Sequence, residues 1–174
     1  MARKTRRRYY KHRGRWCSNI QEIPQTQYTV ANSPFGDSIT LVTNPIQATT
    51  GVSQIYTVKN IEVSMVAEID EDDASPNDFE DLTYYIMYVP QGMNLTTDYN
   101  IEHPEYIMAY KYLGSPTLDG NQQYQPVKIK TRLARKLNTG DQIILFFKGR
   151  CNAGMGSNRI FRLGGLVRWW TKAN

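Results

Sequence analysis

The sequence predicts an all-β fold built as an antiparallel sandwich or jelly roll. Short segments alternate polar and apolar residues with a period of two, and Gly, Pro and Asn recur between them. No segment sustains the 3.6-residue period of an amphipathic helix, several predicted connections are long, and there is no internal repeat. These features together are typical of two packed antiparallel sheets.

The clearest predicted strand covers residues 55–69. Its apolar face comprises Ile61, Val63, Met65, Ala67 and Ile69, and its polar face Glu62, Ser64 and Glu68. This alternation indicates one buried and one solvated face. Tyr56 and Val58 lie in the opposite phase, and we expect a β-bulge near Lys59-Asn60 to account for the switch.

The other elements are predicted from the same signals. Residues 17–35 are interpreted as an extended connector in which Pro24 and Pro34 exclude a helix and residues 28–30 form one short strand. Further strands are expected at 39–43, 82–89, 105–113, 127–133, 143–147 and 159–170, with a turn at 137–140. Residues 143–147 are apolar on both faces, which indicates a central strand. Loops are expected at 70–81, which is acidic, and at 151–158, which is rich in glycine.

Charge is divided sharply along the chain. Of the 174 residues, 21 are Lys or Arg and 16 are Asp or Glu. Eight of the basic residues and none of the acidic ones lie in residues 1–16, so residues 17–174 hold 13 basic and all 16 acidic residues. This segregation predicts a polyanionic partner for the N-terminal segment, attached to a single mildly acidic domain.

Residues 1–16 are predicted to form a disordered arm, because like charges repel and little apolar surface offsets the ordering entropy. Arginine pairs bidentately with phosphate, and aromatic rings among the charges can stack on the bases of a single strand. The arm residues predicted to bind nucleic acid are Arg3, Lys4, Arg6, Arg7, Arg8, Tyr9, Tyr10, Lys11, Arg13, Arg15 and Trp16, with His12 among them. The alternative is a nuclear-localisation segment with no packaging role.

A second basic group is predicted on the body. Lys128, Lys130 and Arg132 share one face of a predicted strand. Two interpretations stay open at this point: a surface that extends the binding site of the arm, or an ordinary solvated strand face. The same alternatives apply to Arg159, Arg162 and Arg168 near the C-terminus.

The sequence offers little support for catalysis, and we expect neither enzyme activity nor a cofactor or metal. The two histidines, His12 and His103, are not arranged with a nucleophile, and no phosphate-binding glycine motif is present. The carboxylates of residues 70–81 do not follow the spacing of a calcium loop, so a solvated surface loop is expected.

Cysteine usage and hydropathy indicate an intracellular protein that does not enter membranes. Cys17 and Cys151 lie outside any metal-binding motif and are expected to be reduced, although a disulfide between them stays open. No apolar run approaches the ~20 residues of a membrane span. The basic N-terminus has no apolar stretch of the kind found in a signal peptide, so secretion is not expected.

Three aromatic pairs are predicted to point one ring to each face of a strand: Tyr84-Tyr85, Phe146-Phe147 and Trp169-Trp170. One ring of each pair would fill the core. The other needs cover from solvent, and we expect a subunit interface to supply it.

Three segments carry a resemblance to a known family. Residues 1–16 (MARKTRRRYYKHRGRW), residues 56–63 (YTVKNIEV) and residues 137–145 (LNTGDQIIL) resemble, in composition and order, the capsid proteins of circovirus-like viruses, which have small circular single-stranded DNA genomes and encode a replication protein. The resemblance spans the chain, although the chain is shorter than typical circovirus coats. It implies an eight-stranded viral jelly roll, about sixty identical copies in a T=1 icosahedral shell, and an arm that faces inward onto the genome.

The resulting prediction is a capsid protein with an arm at 1–16, which also acts as the nuclear-import signal, and a jelly-roll domain at 17–174. Its partners would be further copies of itself, a single-stranded DNA genome (or RNA when expressed alone) and a host import receptor, but no membrane. It would be located in the virion and, during infection, in the host nucleus. The alternatives are a cellular nucleic-acid-binding β-barrel or ribosomal-type protein, an enzyme that acts on nucleic acid, and the coat of a small satellite RNA virus.

Overall fold

A computed structural model describes residues 15–31, 33–44, 55–69, 79–114, 124–152 and 159–173. Within these ranges the chain forms nine β-strands, one helical turn and one 3-10 turn. The strands are β1 (Cys17–Val30), β2 (Ser33–Thr43), β3 (Tyr56–Ile69), β4 (Phe79–Val89), β5 (Ile107–Gly114), β6 (Tyr124–Thr131), β7 (Arg135–Leu137), β8 (Gln142–Cys151) and β9 (Arg159–Ala173). The helical turn α1 spans Tyr99–Glu102 and the 3-10 turn spans Pro104–Tyr106.

The strands form two antiparallel sheets. Sheet A has the order β1-β9-β3-β6, and sheet B has the order β2-β8-β4-β5. Most pairs of consecutive strands lie in different sheets, and this strand order is that of a jelly roll. The predicted fold class is therefore confirmed. The ninth strand, β7, is a three-residue addition that pairs with the first residues of β3 and continues the edge formed by β6.

The core lies between the two sheets and is rich in aromatic rings. Phe147, in the central strand β8, is fully buried. Its ring centroid lies 4.9 Å from that of Tyr28, 5.8 Å from that of Phe161 and 6.4 Å from that of Tyr84. These rings come from strands of both sheets, so aromatic packing ties the sheets together. The prediction that residues 143–147 form a central strand is confirmed, because all five are buried.

The predicted bulge in β3 is also confirmed. Asn60 has a φ of 51°, and the pairing of β3 with β9 shifts register between Lys59 and Glu62. Val58 and Ile61 are both fully buried although they are an odd number of residues apart. The extra residue therefore lets both halves of the strand point their apolar side chains into the core.

The interpretation of residues 17–35 as a connector is wrong, because β1 and the start of β2 occupy this segment. β1 is an edge strand of sheet A, and most of its side chains are exposed, with only Ile23 and Val30 buried. Such a strand lacks the apolar alternation that identifies half-buried strands. Pro24 is accommodated at a bulge, since the register with β9 shifts between Ile23 and Thr26.

The prediction that a subunit interface covers the outward ring of each aromatic pair is wrong for Phe146. This side chain lies on the outer face of sheet B and is only 2% exposed. The chain's own α1 segment covers it, in a small second core that contains Met87, Val89, Tyr99 and Ile144. No partner subunit is needed to bury this ring.

Several predicted boundaries move by a few residues. Residues 104–106 form a 3-10 turn, so the fifth strand starts at Ile107 instead of residue 105. β6 ends at Thr131, whose hydroxyl donates to the Met108 carbonyl, and Leu133 beyond it is 54% exposed. The end of the predicted acidic loop belongs to β4, and residues 70–78 and 153–158 lie outside the described residues.

A buried carboxylate organises the predicted turn at 137–140. Asp141 is 3% exposed, and its two oxygens accept hydrogen bonds from the Tyr88 hydroxyl (2.7 Å), the Asn138 amide (2.8 Å) and the Gln91 amide (3.0 Å). Its backbone carbonyl accepts from the Asn44 amide. Burial, together with the neighbouring carboxylate, raises the pKa of Tyr88 well above its ordinary value. Asp141 thus links the ends of three strands, β2, β4 and β8.

No disulfide joins the two cysteines: Cys17 is exposed in β1 and Cys151 is buried in β8. No helix among the described residues is long and apolar enough to cross a membrane.

Candidate nucleic-acid interface

The outward surface of sheet A, here called the sheet A face, carries an excess of positive charge. Because Phe161, Leu163 and Val167 point into the core, the alternate residues of β9 and their cross-strand partners point outward. Among the described residues, the basic ones on this face are Lys59, Lys128, Lys130, Lys136, Arg162, Arg168 and Lys172, and the acidic ones are Glu22, Glu62 and Glu68. The basic residues come from three long strands, β3, β6 and β9, and from β7.

The predicted arm joins the body at this face. β1 begins at Cys17, which pairs with Thr171 at the end of β9. The ring of Trp16 lies over the ammonium of Lys59, with the nitrogen 3.9 Å from the ring centroid. Lys59 in turn pairs with Trp170 in the strand register. Trp16, one of the residues predicted to bind nucleic acid, therefore contacts the sheet A face through its ring.

Of the predicted arm residues, only Arg15 and Trp16 lie within the described part of the chain, and Arg15 is exposed. The others lie outside it: Arg3, Lys4, Arg6, Arg7, Arg8, Tyr9, Tyr10, Lys11 and Arg13. The described chain therefore begins at the end of the sheet A face that holds Lys59.

Lys128 and Lys130 share one carboxylate partner on β3. Their ammonium groups lie 2.9 Å and 3.2 Å from the same oxygen of Glu62, and both side chains are more than half exposed. Hydrogen bonds from Lys128 and then Lys130 hold the pKa of Glu62 below its ordinary value. One ionised carboxylate offsets one of the two lysines, so this group keeps a net positive charge.

Arg168 lies on the other side of the same carboxylate, directly opposite Glu62 in the β3–β9 register. The row across the sheet therefore reads Ile20, Arg168, Glu62 and Lys130. No pattern in the sequence places Arg168 near Lys130, because the two residues are far apart in the chain and lie on strands that flank β3 on opposite sides. The register unites two basic groups that were predicted separately.

Arg162 lies at the far end of the face and belongs to a polar network. Its guanidinium is 2.9 Å from a Glu68 oxygen and 3.3 Å from the Gln27 amide oxygen. The other Glu68 oxygen accepts from the Gln25 amide at 3.1 Å. Both charged side chains are about one-fifth exposed, so Arg162 is held in place more firmly than the lysines.

Two predicted basic residues fall elsewhere. Arg132 is exposed but lies just beyond the end of β6, so it does not share a strand with Lys128 and Lys130. Arg159 pairs with Val30 at the first position of β9, on the side of the sheet that faces the core. Neither residue belongs to the sheet A face.

The outer surface of sheet B differs in charge. A cleft of about 540 Å³ there is lined by Lys148 and Arg150 together with Asp81 and Asp98. The Lys148 ammonium lies 2.5 Å from an Asp98 oxygen. Since the two basic residues are matched by two acidic ones, this cleft has no excess of positive charge to attract a polyanion.

His103 is a packing residue. Its ring lies 4.9 Å from the ring of Tyr99 and 5.4 Å from that of Tyr106, and Nδ1 is 3.3 Å from a Glu105 oxygen. Among the described residues, no cluster of His, Cys, Asp and Glu could hold a metal ion.

No protein-family model matches this sequence, and no curated protein matches it either. Among solved structures, the chain is similar to one from Desmodium yellow mottle tymovirus, with 12% identity over 87% of each chain and a TM-score of 0.34. It is also similar to the decameric capsid protein of the beak-and-feather disease circovirus, BFDV, with 9% identity over 91% of this chain and 99% of that one, and a TM-score of 0.39. The jelly-roll assignment rests on the strand order and pairing of this chain itself.

Proposed function

We propose that the protein is a viral capsid subunit that binds nucleic acid through residues 1–16 together with the sheet A face. The observation that carries this proposal is the convergence of seven basic side chains on one face, at the end of which Trp16 marks the entry of the arm. Cations of the arm and of the body then form one continuous surface for a phosphate backbone.

The binding mechanism is electrostatic. Each phosphate neutralised by Lys or Arg releases condensed counterions, so affinity is high at low salt and independent of base sequence. Arg162 and Lys172 lie ten residues apart on β9, which corresponds to about 33 Å at ~3.3 Å per residue. The face is therefore long enough to contact several successive nucleotides.

Assembly is the second part of the proposal. Large apolar side chains stay exposed on the sheet B side, among them Ile101, Tyr110 and Tyr112. Tyr is enriched at subunit interfaces, and closed symmetry repeats each contact many times. Nucleic acid that holds several arms at once raises the local concentration of subunits and favours closure of the shell.

The resemblance to circovirus-like capsid proteins adds three details to the proposal. The shell would have about sixty copies in T=1 symmetry, it would enclose a single-stranded DNA genome, and the arm would also bind a host import receptor. The protein would then occur in the virion and in the host nucleus. Residues 1–16 are strongly basic and the rest of the chain is mildly acidic. This difference supports an arm that binds nucleic acid and a body that assembles into the shell.

Electron microscopy of the purified full-length protein tests the proposal. We expect uniform closed shells that contain nucleic acid resistant to added nuclease, because the shell excludes the enzyme. A cellular nucleic-acid-binding protein would instead stay monomeric and leave its bound oligonucleotide open to digestion. That outcome, at protein concentrations in the micromolar range and low salt, would contradict the capsid assignment.

A further inference from the structure

A cleft of about 340 Å³ opens on the sheet A face, next to Gly164. Gly164 is an outward position of β9, between Arg162 and Leu166, and it pairs with Val66 of β3. On its other side β1 bulges, so Gln25 lies across from it. A Cβ at Gly164 would come within 3.2 Å of the Gln25 Cα, so the absence of a side chain keeps this cleft open.

The cleft combines an apolar wall with a polar rim. Val66 is 42% exposed, and Leu166, one position further along the face, is 53% exposed. The polar rim comprises Gln25, Glu68 and Arg162, which are linked by the hydrogen bonds described above, and Glu22 of β1. A strip of bare backbone beside an aliphatic side chain offers a flat surface, and the amide and carboxylate offer donors and acceptors.

Cations flank the cleft on both sides along the strand direction. Arg162 lies one outward position before Gly164 on β9, and Lys128 lies across from Ser64, one outward position beyond Val66 on β3. Arg162 and the row that contains Lys128 are two outward positions apart, about 13 Å along the strand at ~3.3 Å per residue, so their long side chains lie on either side of a base held at Gly164. Glu68, the acidic residue nearest to Arg162, is already paired with it.

We propose that this cleft holds one unpaired nucleobase, with its flanking phosphates on Arg162 and on the Lys128 side. The inference rests on the proposed function, since it assigns a base-binding position within the same nucleic-acid interface. It adds a contact that a purely electrostatic surface lacks, because the base stacks against Val66 and the glycine backbone. Recognition of an unpaired base would favour single-stranded over double-stranded nucleic acid, whose bases are stacked inside the helix.

The test compares two oligonucleotides of equal length and charge, oligo-dT and its abasic analogue, for binding to the full-length chain. The arm contributes equally in all variants, so a change in the affinity ratio between the two ligands reports on the cleft. Gly164→Val fills the cleft and is expected to lower the ratio by about fivefold, because the base then loses its apolar contact with Val66 and the glycine backbone. Val66→Ser, at an exposed position, is expected to lower it by about twofold. Affinity for the abasic analogue should stay unchanged, because no charge is altered.

Leu95→Ser is the matched control, since Leu95 is an exposed aliphatic residue between β4 and α1 and outside the sheet A face. It should leave the ratio unchanged. If both ligands bind and neither cleft variant changes the affinity ratio between them, the cleft does not hold a base. Binding would then be explained by the electrostatic interface without a base-binding position. If neither ligand binds the unaltered protein, the proposed function itself fails. Should Gly164→Val not fold, Val66→Ser decides the question.

Discussion

Deletion of residues 1–14 is expected to weaken the binding of single-stranded DNA by about a thousandfold at 50 mM salt. The deletion removes seven of the eight basic residues of the arm but keeps Trp16 on Lys59 and β1 intact. Each phosphate contact on a single strand contributes about 0.7 to the slope of log affinity against log salt, so the slope should fall by about 5. Fluorescence anisotropy over a series of salt concentrations measures both quantities.

A variant with the arm's basic residues replaced by lysine controls for the loss of chain length. It keeps the charge and should keep most of the salt slope, although bidentate phosphate contacts are lost. Equal affinity and equal slope for the deleted and full-length proteins would show that the arm does not bind nucleic acid.

Replacement of Asp141 by alanine is expected to lower the free energy of unfolding by about 3 kcal/mol. The substitution removes the buried acceptor of three part-buried donors: the Tyr88 hydroxyl and the amides of Asn138 and Gln91. Each such group costs about 1 kcal/mol or more when it is unsatisfied, and a typical domain has only 5–15 kcal/mol of stability in total. Urea unfolding, monitored by tryptophan fluorescence, measures the difference in the free energy of unfolding between the variant and the unaltered protein.

Asp98→Ala is the control for this measurement, because Asp98 is an exposed carboxylate paired with Lys148 at the surface. Surface pairs contribute about 0–1 kcal/mol, so the control should lose little stability. If the two variants were destabilised equally, the hydrogen bonds of Asp141 would not hold this end of the sandwich together.

The sequence predicts strands well where one face is buried and the other solvated. β3 shows this, since its alternation and its bulge at Asn60 both follow from the order of apolar residues. The same reasoning does not identify β1, because β1 is an edge strand that buries only Ile23 and Val30. Its position is fixed by pairing with β9 more than a hundred residues away, and no local pattern reports such a contact.

The candidate interface could be predicted only in part. The basic residues were visible as separate groups, but the register of β3 between β6 and β9 is what places Lys130 and Arg168 on either side of Glu62. The net charge of residues 17–174 also understated the positive surface. That net charge sums all sides of the body, whereas the described residues of the sheet A face comprise seven basic and three acidic side chains.

The cleft at Gly164 depends on two distant features that coincide. The glycine pair of β9 is evident in the sequence, but its meaning depends on the bulge at Gln25 in β1 and on Val66 in β3. Glycine within a strand indicates a close approach or a bend without saying what approaches. Only the assembled sheet shows that an apolar wall and a cation lie beside it.

A comparison of two triple variants of the full-length chain tests the central claim most directly. One carries Lys128→Gln, Lys130→Gln and Arg168→Gln on the sheet A face, and the other carries Lys111→Gln, Lys148→Gln and Arg150→Gln on sheet B, so that both lose three charges. We predict that the first lowers the salt slope for single-stranded DNA by about 2 and the affinity by about tenfold or more, while the second changes neither. Equal losses in the two variants, or a larger loss in the second, would contradict the assignment of the sheet A face as the nucleic-acid interface.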